Sequence, residues 1–162
     1  MIYSLRPYRD ADAEDLASVI KAAIEDIGPS AYAADQVAAW SARHPGADRF
    51  RERVAENDAI IVAVDGGDRP VAYVLLQRDG HLDHLYNHPA HTRRGLAARL
   101  LAEAETLARA WGAPSLFTEA SDLARPAFER AGYIMVSRRD FTIEHDGKAV
   151  PIHNWAMVKP LD

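Results

Sequence analysis

The residues best suited to chemistry fall in one stretch, Leu85-Tyr86-Asn87-His88-Pro89-Ala90-His91-Thr92-Arg93-Arg94-Gly95-Leu96-Ala97, which reads as a strand, a short basic loop and a helix start. Backbone N–H groups at a helix start have no intrahelical acceptor, and the helix dipole adds partial positive charge, so an anion can be held there. Gly95 lets the backbone approach a ligand closely, and Ala97 is small enough not to block it. Arg93 and Arg94 bring positive charge to a chain with 19 Lys+Arg against 24 Asp+Glu and a formal net charge of -5. No Gly-Lys-Ser/Thr follows, which excludes a Walker-type loop. Spacing alone fits an ordinary helix start with solvated arginines equally well.

A second set of titratable residues surrounds this stretch. Asp83 and His84 precede Leu85, and Glu119 closes a later apolar segment. His81, His84, His88 and His91 invite a metal reading. Strict alternation along a strand would point His84 away from His81, and Pro89 interrupts the rest, so no metal site is expected. The chain has no cysteine, which excludes a disulfide framework, a cysteine nucleophile and thiolate metal sites. Trp40, Trp111 and Trp155 read as core residues, with Trp40 also suited to line a cleft.

The acidic balance removes any global basic field that would draw the protein to nucleic acid or anionic lipid. No apolar run approaches the ~18 residues of a membrane span, and Met1-Ile2-Tyr3-Ser4-Leu5-Arg6 lacks the apolar core of a signal peptide. A soluble, cytoplasmic protein without nucleic-acid or membrane partners is the expectation. With 162 residues, 48% hydrophobic and 27% charged, one folded domain over residues 1–162 is expected.

The elements that must position these residues follow from changes of period. Residues 2–6 read as a strand. Residues 10–27 carry Leu16, Ile20, Ala23 and Ile24 at helical spacing, with Asp10 or Asp12 as cap and Gly28-Pro29 as stop. A second helix follows Tyr32, with Val37, Ala38 and Trp40 inward, and residues 48–56 suit a third. Ala59-Ile60-Ile61-Val62-Ala63-Val64, residues 70–76 and residues 81–87 form an antiparallel meander with turns at Asp65-Gly66-Gly67-Asp68 and Asp79-Gly80. A long helix over 94–111 places Leu96, Leu100, Ala104, Leu107 and Trp111 on one face, and Gly112 stops it. Residues 115–118 read as a strand, Ser121 or Asp122 caps a short helix to Ala131, and residues 133–143 and 150–159 form a hairpin around Asp146-Gly147. This order predicts a mixed α+β architecture, helices packed on a largely antiparallel sheet of about six to seven strands.

In this order of elements the chain resembles the GNAT superfamily of acetyl-coenzyme A dependent N-acetyltransferases. The family signature places Gln or Arg, two residues, Gly, one residue, and Gly or Ala after a strand ending in Pro. This chain reads Thr92-Arg93-Arg94-Gly95-Leu96-Ala97, departing only at Thr92. A second family run, Asn, two residues, Ala, three residues, Tyr, three residues, then Gly-Phe or Gly-Tyr, is matched from Ser121 to Tyr133. Ala124, Gly132 and Tyr133 fit, while Ser121 stands for Asn and Phe128 for Tyr. Leu5-Arg6-Pro7 with Asp15-Leu16 looks like the family's opening. Thr118-Glu119-Ala120-Ser121, Arg125-Pro126 and Asn154-Trp155-Ala156-Met157-Val158-Lys159 look like a bacterial branch of uncharacterised substrate.

The resemblance implies a GNAT fold splayed between the fourth and fifth strands, acetyl-coenzyme A as cosubstrate, no metal, and a small-molecule or protein amine as acceptor. A homodimer through the terminal strands is compatible with it. Leu85 and Asn87 would offer backbone groups to the pantetheine arm. Thr92, Arg93, Arg94, Gly95, Leu96 and Ala97 would hold the pyrophosphate, Ser121 and Phe128 would lie near the pantetheine, and Arg125 would meet the adenosine phosphate. A lysine-like ammonium of pKa ~10.4 must lose a proton before it attacks. Glu119 is the first choice for that base, then Asp83 and His84. Two other readings stay open, a coenzyme A-binding module without transfer activity, to which Phe128 lends support, and a protein-interaction domain.

Overall fold

The computed structural model describes residues 2–44 and 46–162. Strand β1 (Ser4–Pro7) leads through a 3-10 turn (Asp10–Asp12) into helix α1 (Ala13–Ala22), then a π-helical turn (Ala23–Ile27) and a second 3-10 turn (Gly28–Ser30). The single helix expected over 10–27 is thus broken at both ends. Asp12 explains the start. Its carboxylate does not cap α1 but takes a bidentate pair from Arg6 at 2.8 and 2.9 Å and the Arg9 N–H at 2.8 Å.

Helices α2 (Ala34–Ala42) and α3 (Ala47–Ala55) follow. In α2 Ala39 rather than Ala38 turns inward beside Val37. Strands β2 (Ala59–Val64), β3 (Pro70–Leu76) and β4 (Leu82–Asn87) then form the meander, with β1 on its outer edge in the order β1-β2-β3-β4, all antiparallel. β3 is buried along its whole length because helices cover both faces of this sheet. Tyr73 and Leu75 pack toward α1 and α3 with Leu16, Ile20 and Phe50. Val74 and Leu76 pack toward helix α4 (Leu96–Ala110) with Leu96, Leu100 and Ala104.

The second sheet has the order β5-β7-β6, built from β5 (Ser115–Ala120), β6 (Ile134–His145) and β7 (Lys148–Pro160), with helix α5 (Arg125–Arg130) between β5 and β6. Asp146 and Gly147, both at positive φ, make the tight turn of the β6–β7 hairpin.

The seven strands therefore form two sheets that join at one point. His81 makes a parallel bridge with Phe117, the Phe117 N–H donates to Gly80 O at 3.1 Å, and the buried Thr118 hydroxyl donates to Leu82 O at 2.8 Å. Gly80 is needed there: its φ is +96°, and a Cβ at this position would sit 2.1 Å from Ser115 O. Beyond this join β4 and β5 separate, as expected between the fourth and fifth strands.

Candidate active site

The separation leaves the free edge of β4 facing a gap. His88 donates its N–H to Val71 O at 2.8 Å, on the β3 side. In an antiparallel ladder the two backbone groups of one residue point to one side and alternate along the strand. Tyr86 and His84 therefore face β3, and Leu85 and Asn87 present N–H and C=O to the gap. The Asn87 Oδ1 is itself buried with no partner among the described residues, a polar atom that a ligand in the gap could satisfy.

At the open end of the gap the chain passes through a 3-10 turn (Pro89–His91) to the N-terminus of α4. Arg93 at φ +58° and Gly95 at φ +75° fold the loop so that α4 starts at Leu96, two residues later than the apolar period alone suggests. Nothing lies within 4 Å of a Cβ built on Gly95, and Arg93 and Arg94 are exposed. Free helix-start amides, an open glycine and two arginines that pair with no carboxylate among the described residues fit a pyrophosphate. Thr92 closes the loop through its hydroxyl, which donates to Pro89 O at 3.1 Å. The Leu96 side chain is buried in the core, so only its backbone could serve a ligand.

Across the gap, Ser121 accepts the Ala124 N–H at 3.1 Å and so fixes the approach to α5. Arg125 pairs with Glu129 at 2.6 Å and lies 4.3 Å over the Trp155 ring. Phe128 is 2% exposed, lines the cleft and packs edge-on against Tyr133 at 5.0 Å between centroids. Asp122, expected as an alternative cap, is drawn elsewhere: its carboxylate accepts from His153 Nε2 at 2.9 Å and from Trp155 Nε1 at 2.6 Å. The Asp122 N–H donates to the Tyr32 hydroxyl at 2.9 Å.

The gap widens on the α1–α3 side of the sheet into a two-lobed cleft, with Trp40, Arg43, Asp83, Tyr86, Glu119 and Asn154 lining both lobes. A β-bulge shapes its floor. His84 stands opposite Leu75 and Leu82 opposite Leu76, so Asp83 is one extra residue in β4. Leu82 can then enter the α4-side core while Asp83 and His84 both face the cleft, together with His81. Strict alternation, the ground on which His81 and His84 were expected to diverge, does not hold here. Among the described residues no group of His, Asp and Glu is arranged to hold a metal ion.

The titratable groups of the cleft differ in what they can do. His84 takes a 2.9 Å hydrogen bond between Nδ1 and the Tyr73 hydroxyl, and burial pushes it down to about 3. His44, whose ring meets His84 edge-on at 5.2 Å, is likewise pushed down by burial to about 4. Both are neutral and weakly basic at pH 7. Burial pushes Asp83 up, yet the Arg53 guanidinium at 2.7 Å outweighs this and holds it below the usual carboxylate range. Arg53 is itself buried and also bonded to Asp58. Asp83 is thus a paired carboxylate of low basicity.

Glu119 and His81 form the remaining pair, His81 Nε2 to Glu119 Oε1 at 3.0 Å, with His81 Nδ1 2.6 Å from Gln77 Oε1. The hydrogen bond to Glu119 raises the His81 pKa against the effect of burial. Sequence reading missed His81 as a partner of Glu119, because 38 residues separate them and only the bulge and the join of the sheets bring them together.

A family model described as "Acetyltransferase (GNAT) domain" matches residues 29–147. The chain is 26% identical over 140 residues to the uncharacterized N-acetyltransferase YafP of Escherichia coli K12, covering 83% of each. A GCN5-related N-acetyltransferase crystal structure from Rhodopseudomonas palustris superposes with a TM-score of 0.86 at 32% identity, covering 99% of both chains. The structure of yncA, an acetyltransferase from Salmonella typhimurium solved with acetyl-CoA, has a TM-score of 0.73 at 18% identity, covering 99% of this chain and 94% of that one. The chain belongs to the GNAT acetyltransferase family. No helix among the described residues is long and apolar enough to cross a membrane.

Proposed function

We propose that this chain transfers an acetyl group from acetyl-coenzyme A to an amine by direct attack within a ternary complex. One observation carries the reading: the gap between β4 and β5 runs from an open helix N-terminus flanked by Arg93 and Arg94 to a cleft that holds the Glu119–His81 pair. The acetyl-CoA-bound yncA structure has the same fold. The α4 amides, Gly95, Ala97 and the two arginines hold the pyrophosphate. The Leu85 and Asn87 backbone groups align the pantetheine arm, and a β4 N–H meets the charge that develops on the acetyl oxygen.

Glu119 with His81 removes the ammonium proton, directly or through one water. A base works best with a pKa near the working pH. His84 and Asp83 are too weakly basic, whereas a His81 raised above its ordinary ~6.5 suits the task. The ammonium proton passes by way of the Glu119 carboxylate to His81 Nε2, which becomes imidazolium beside the Glu119 anion. Asp83 and His84, also considered for this role, hold the floor of the cleft.

The test is thiol release from acetyl-coenzyme A across a panel of amines, beside a thermal-shift titration with acetyl-coenzyme A alone. Release with at least one amine supports the reading. A thermal shift without release from any amine favours the second reading, a coenzyme A-binding module, to which phenylalanine at position 128 points. No shift at all removes the cofactor assignment.

A further inference from the structure

Four arginines line the outer lobe of the cleft, Arg43, Arg49, Arg53 and Arg139, against two carboxylates, Asp83 and Glu119. Two of the four are neutralised locally. Arg49 pairs with Glu52 at 3.0 Å and Glu56 at 3.5 Å, and Arg53 pairs with Asp58 and Asp83. Arg43, the residue that follows α2, and Arg139, in the middle of β6, have no carboxylate partner among the described residues. Asp140, next to Arg139 in the chain, is taken by Arg138 at 3.1 Å. The only side-chain bond from Arg139 among the described residues goes to the neutral Asn154 Oδ1, at 3.1 Å.

These two guanidiniums reach one ring of the same lobe. Arg43 lies 5.9 Å and Arg139 5.4 Å from the centroid of the same ring, Phe141, which also lines the cleft. An anion bound in the lobe would give these guanidiniums the carboxylate partner they lack, and a guanidinium fork matches a carboxylate or phosphonate in two parallel hydrogen bonds. The pair sits in the lobe that also contains Glu119 and His81.

We propose that the acceptor is an amine that also carries an anionic group, a carboxylate or a phosphonate, and that Arg43 and Arg139 hold that group while the amine faces Glu119. The inference rests on the acetyl-transfer reading for the amine end only; the anion end is a binding claim. It makes a free amino acid or aminophosphonate a better acceptor than a polyamine or a lysine within a protein.

The experiment pairs each acceptor with its uncharged twin. L-α-amino acids, β-alanine and aminomethylphosphonate are assayed for thiol release, each carboxylic acid beside its carboxamide, with spermidine and an end-blocked lysine peptide as further amines. For the best acid, kcat/KM should exceed that of its amide by about tenfold or more, as one charged bidentate contact is worth at least ~1.4 kcal/mol. Arg43→Gln and Arg139→Gln should each raise KM for the acid, with the loss on KM rather than kcat, and bring the acid-to-amide ratio toward one.

Calorimetric titration of the same acid and amide in the presence of coenzyme A reads the anion site without turnover. Tighter binding of the acid in the parent, lost in the arginine variants, supports the inference even where no thiol is released. An amide bound and used as well as its acid overturns it, as does a preference for spermidine or the peptide. Thiol release with those amines and no acid preference would leave the acetyl-transfer reading standing alone.

Discussion

Glu119 Oε1 and His81 Nε2 meet at 3.0 Å, Glu119 from within β5, two residues past the Phe117 bridge, and His81 from the residue that precedes β4. With His81 Nδ1 facing Gln77 Oε1, both imidazole nitrogens look at oxygens, so the neutral ring leaves one contact without a hydrogen and a proton taken up supplies it. The pair thus stores one proton where an acceptor amine would give one up.

Glu119→Gln removes the group that raises the His81 pKa, so the protonated ring loses its stabilisation. The acid limb of the kcat/KM profile should move to lower pH, toward the ordinary ~6.5 of histidine, and because the variant also lacks the carboxylate that relays the proton, turnover at neutral pH should fall by about 10²–10⁴. The loss should shrink at high pH, where more of the acceptor is already neutral. A pH–rate profile of the same shape and position as the parent's would remove the pair from the proton transfer.

Gly95→Glu should abolish coenzyme A binding, since it sets a side chain and a negative charge against the helix-start amides. The φ of +75° makes any side chain there cost about 1–2 kcal/mol, while the open space around the Cβ leaves the core untouched. Calorimetry should find no binding in a protein whose melting is only modestly lowered. Affinity within a few fold of the parent would sink the pyrophosphate assignment.

Phe128 occupies the place where the family resemblance leads one to expect a tyrosine, and a phenyl ring cannot donate a proton. A thiol of pKa ~8.5 leaves readily as its anion, so the proton donor is dispensable. Phe128→Tyr should change turnover by less than about tenfold, and Phe128→Leu should keep most activity if the ring acts by packing beside the gap. Strong activity created by tyrosine in an inert parent would make the native chain a binding module.

Asp12 gives a stability prediction. Burial pushes its carboxyl up, but Arg6 and the Arg9 N–H outweigh this and hold it below the ordinary range. Its contribution is therefore complete above the unfolded value of ~3.9 and is lost as pH falls through the lower folded value. Asp12→Asn should cost about 3 kcal/mol near pH 7, because Arg6, 14% exposed, loses its main partner. Denaturant melts from pH 7 to pH 2 should show the acid limb flattened in the variant. Equal slopes in both proteins would refute the pair's role.

Most of the element order was legible because it rests on local period: β2, β3, α4 and the β6–β7 turn lie within one or two residues of where alternation, helical spacing and Asp146-Gly147 put them. The basic loop was legible for the same reason. The chemistry of the cleft was not. The bulge at Asp83 has no local signature, yet it decides that His81, Asp83 and His84 share one cleft. Asp12 and Asp122 read as caps because aspartate commonly is one, and each instead answers to partners that the fold supplies, Arg6 for one, His153 and Trp155 for the other. Arg43 and Arg139 reach the same ring only because β6, which carries Phe141, packs against α2.

The glycine at the join of the sheets has a geometric consequence. β4 and β5 behave as two arms of a pair of compasses, with Gly80 and Ser115 at the pivot and Asn87 near one tip, about 23 Å away at ~3.3 Å per residue. A methyl group on residue 80 would have to push the Ser115 carbonyl back by about an ångström to reach an ordinary contact, and rotation about the pivot enlarges that shift along the arms. The aperture offered to a ligand at Leu85 and Asn87 is thus gauged by a single hydrogen atom on Gly80, five and seven residues back along the chain.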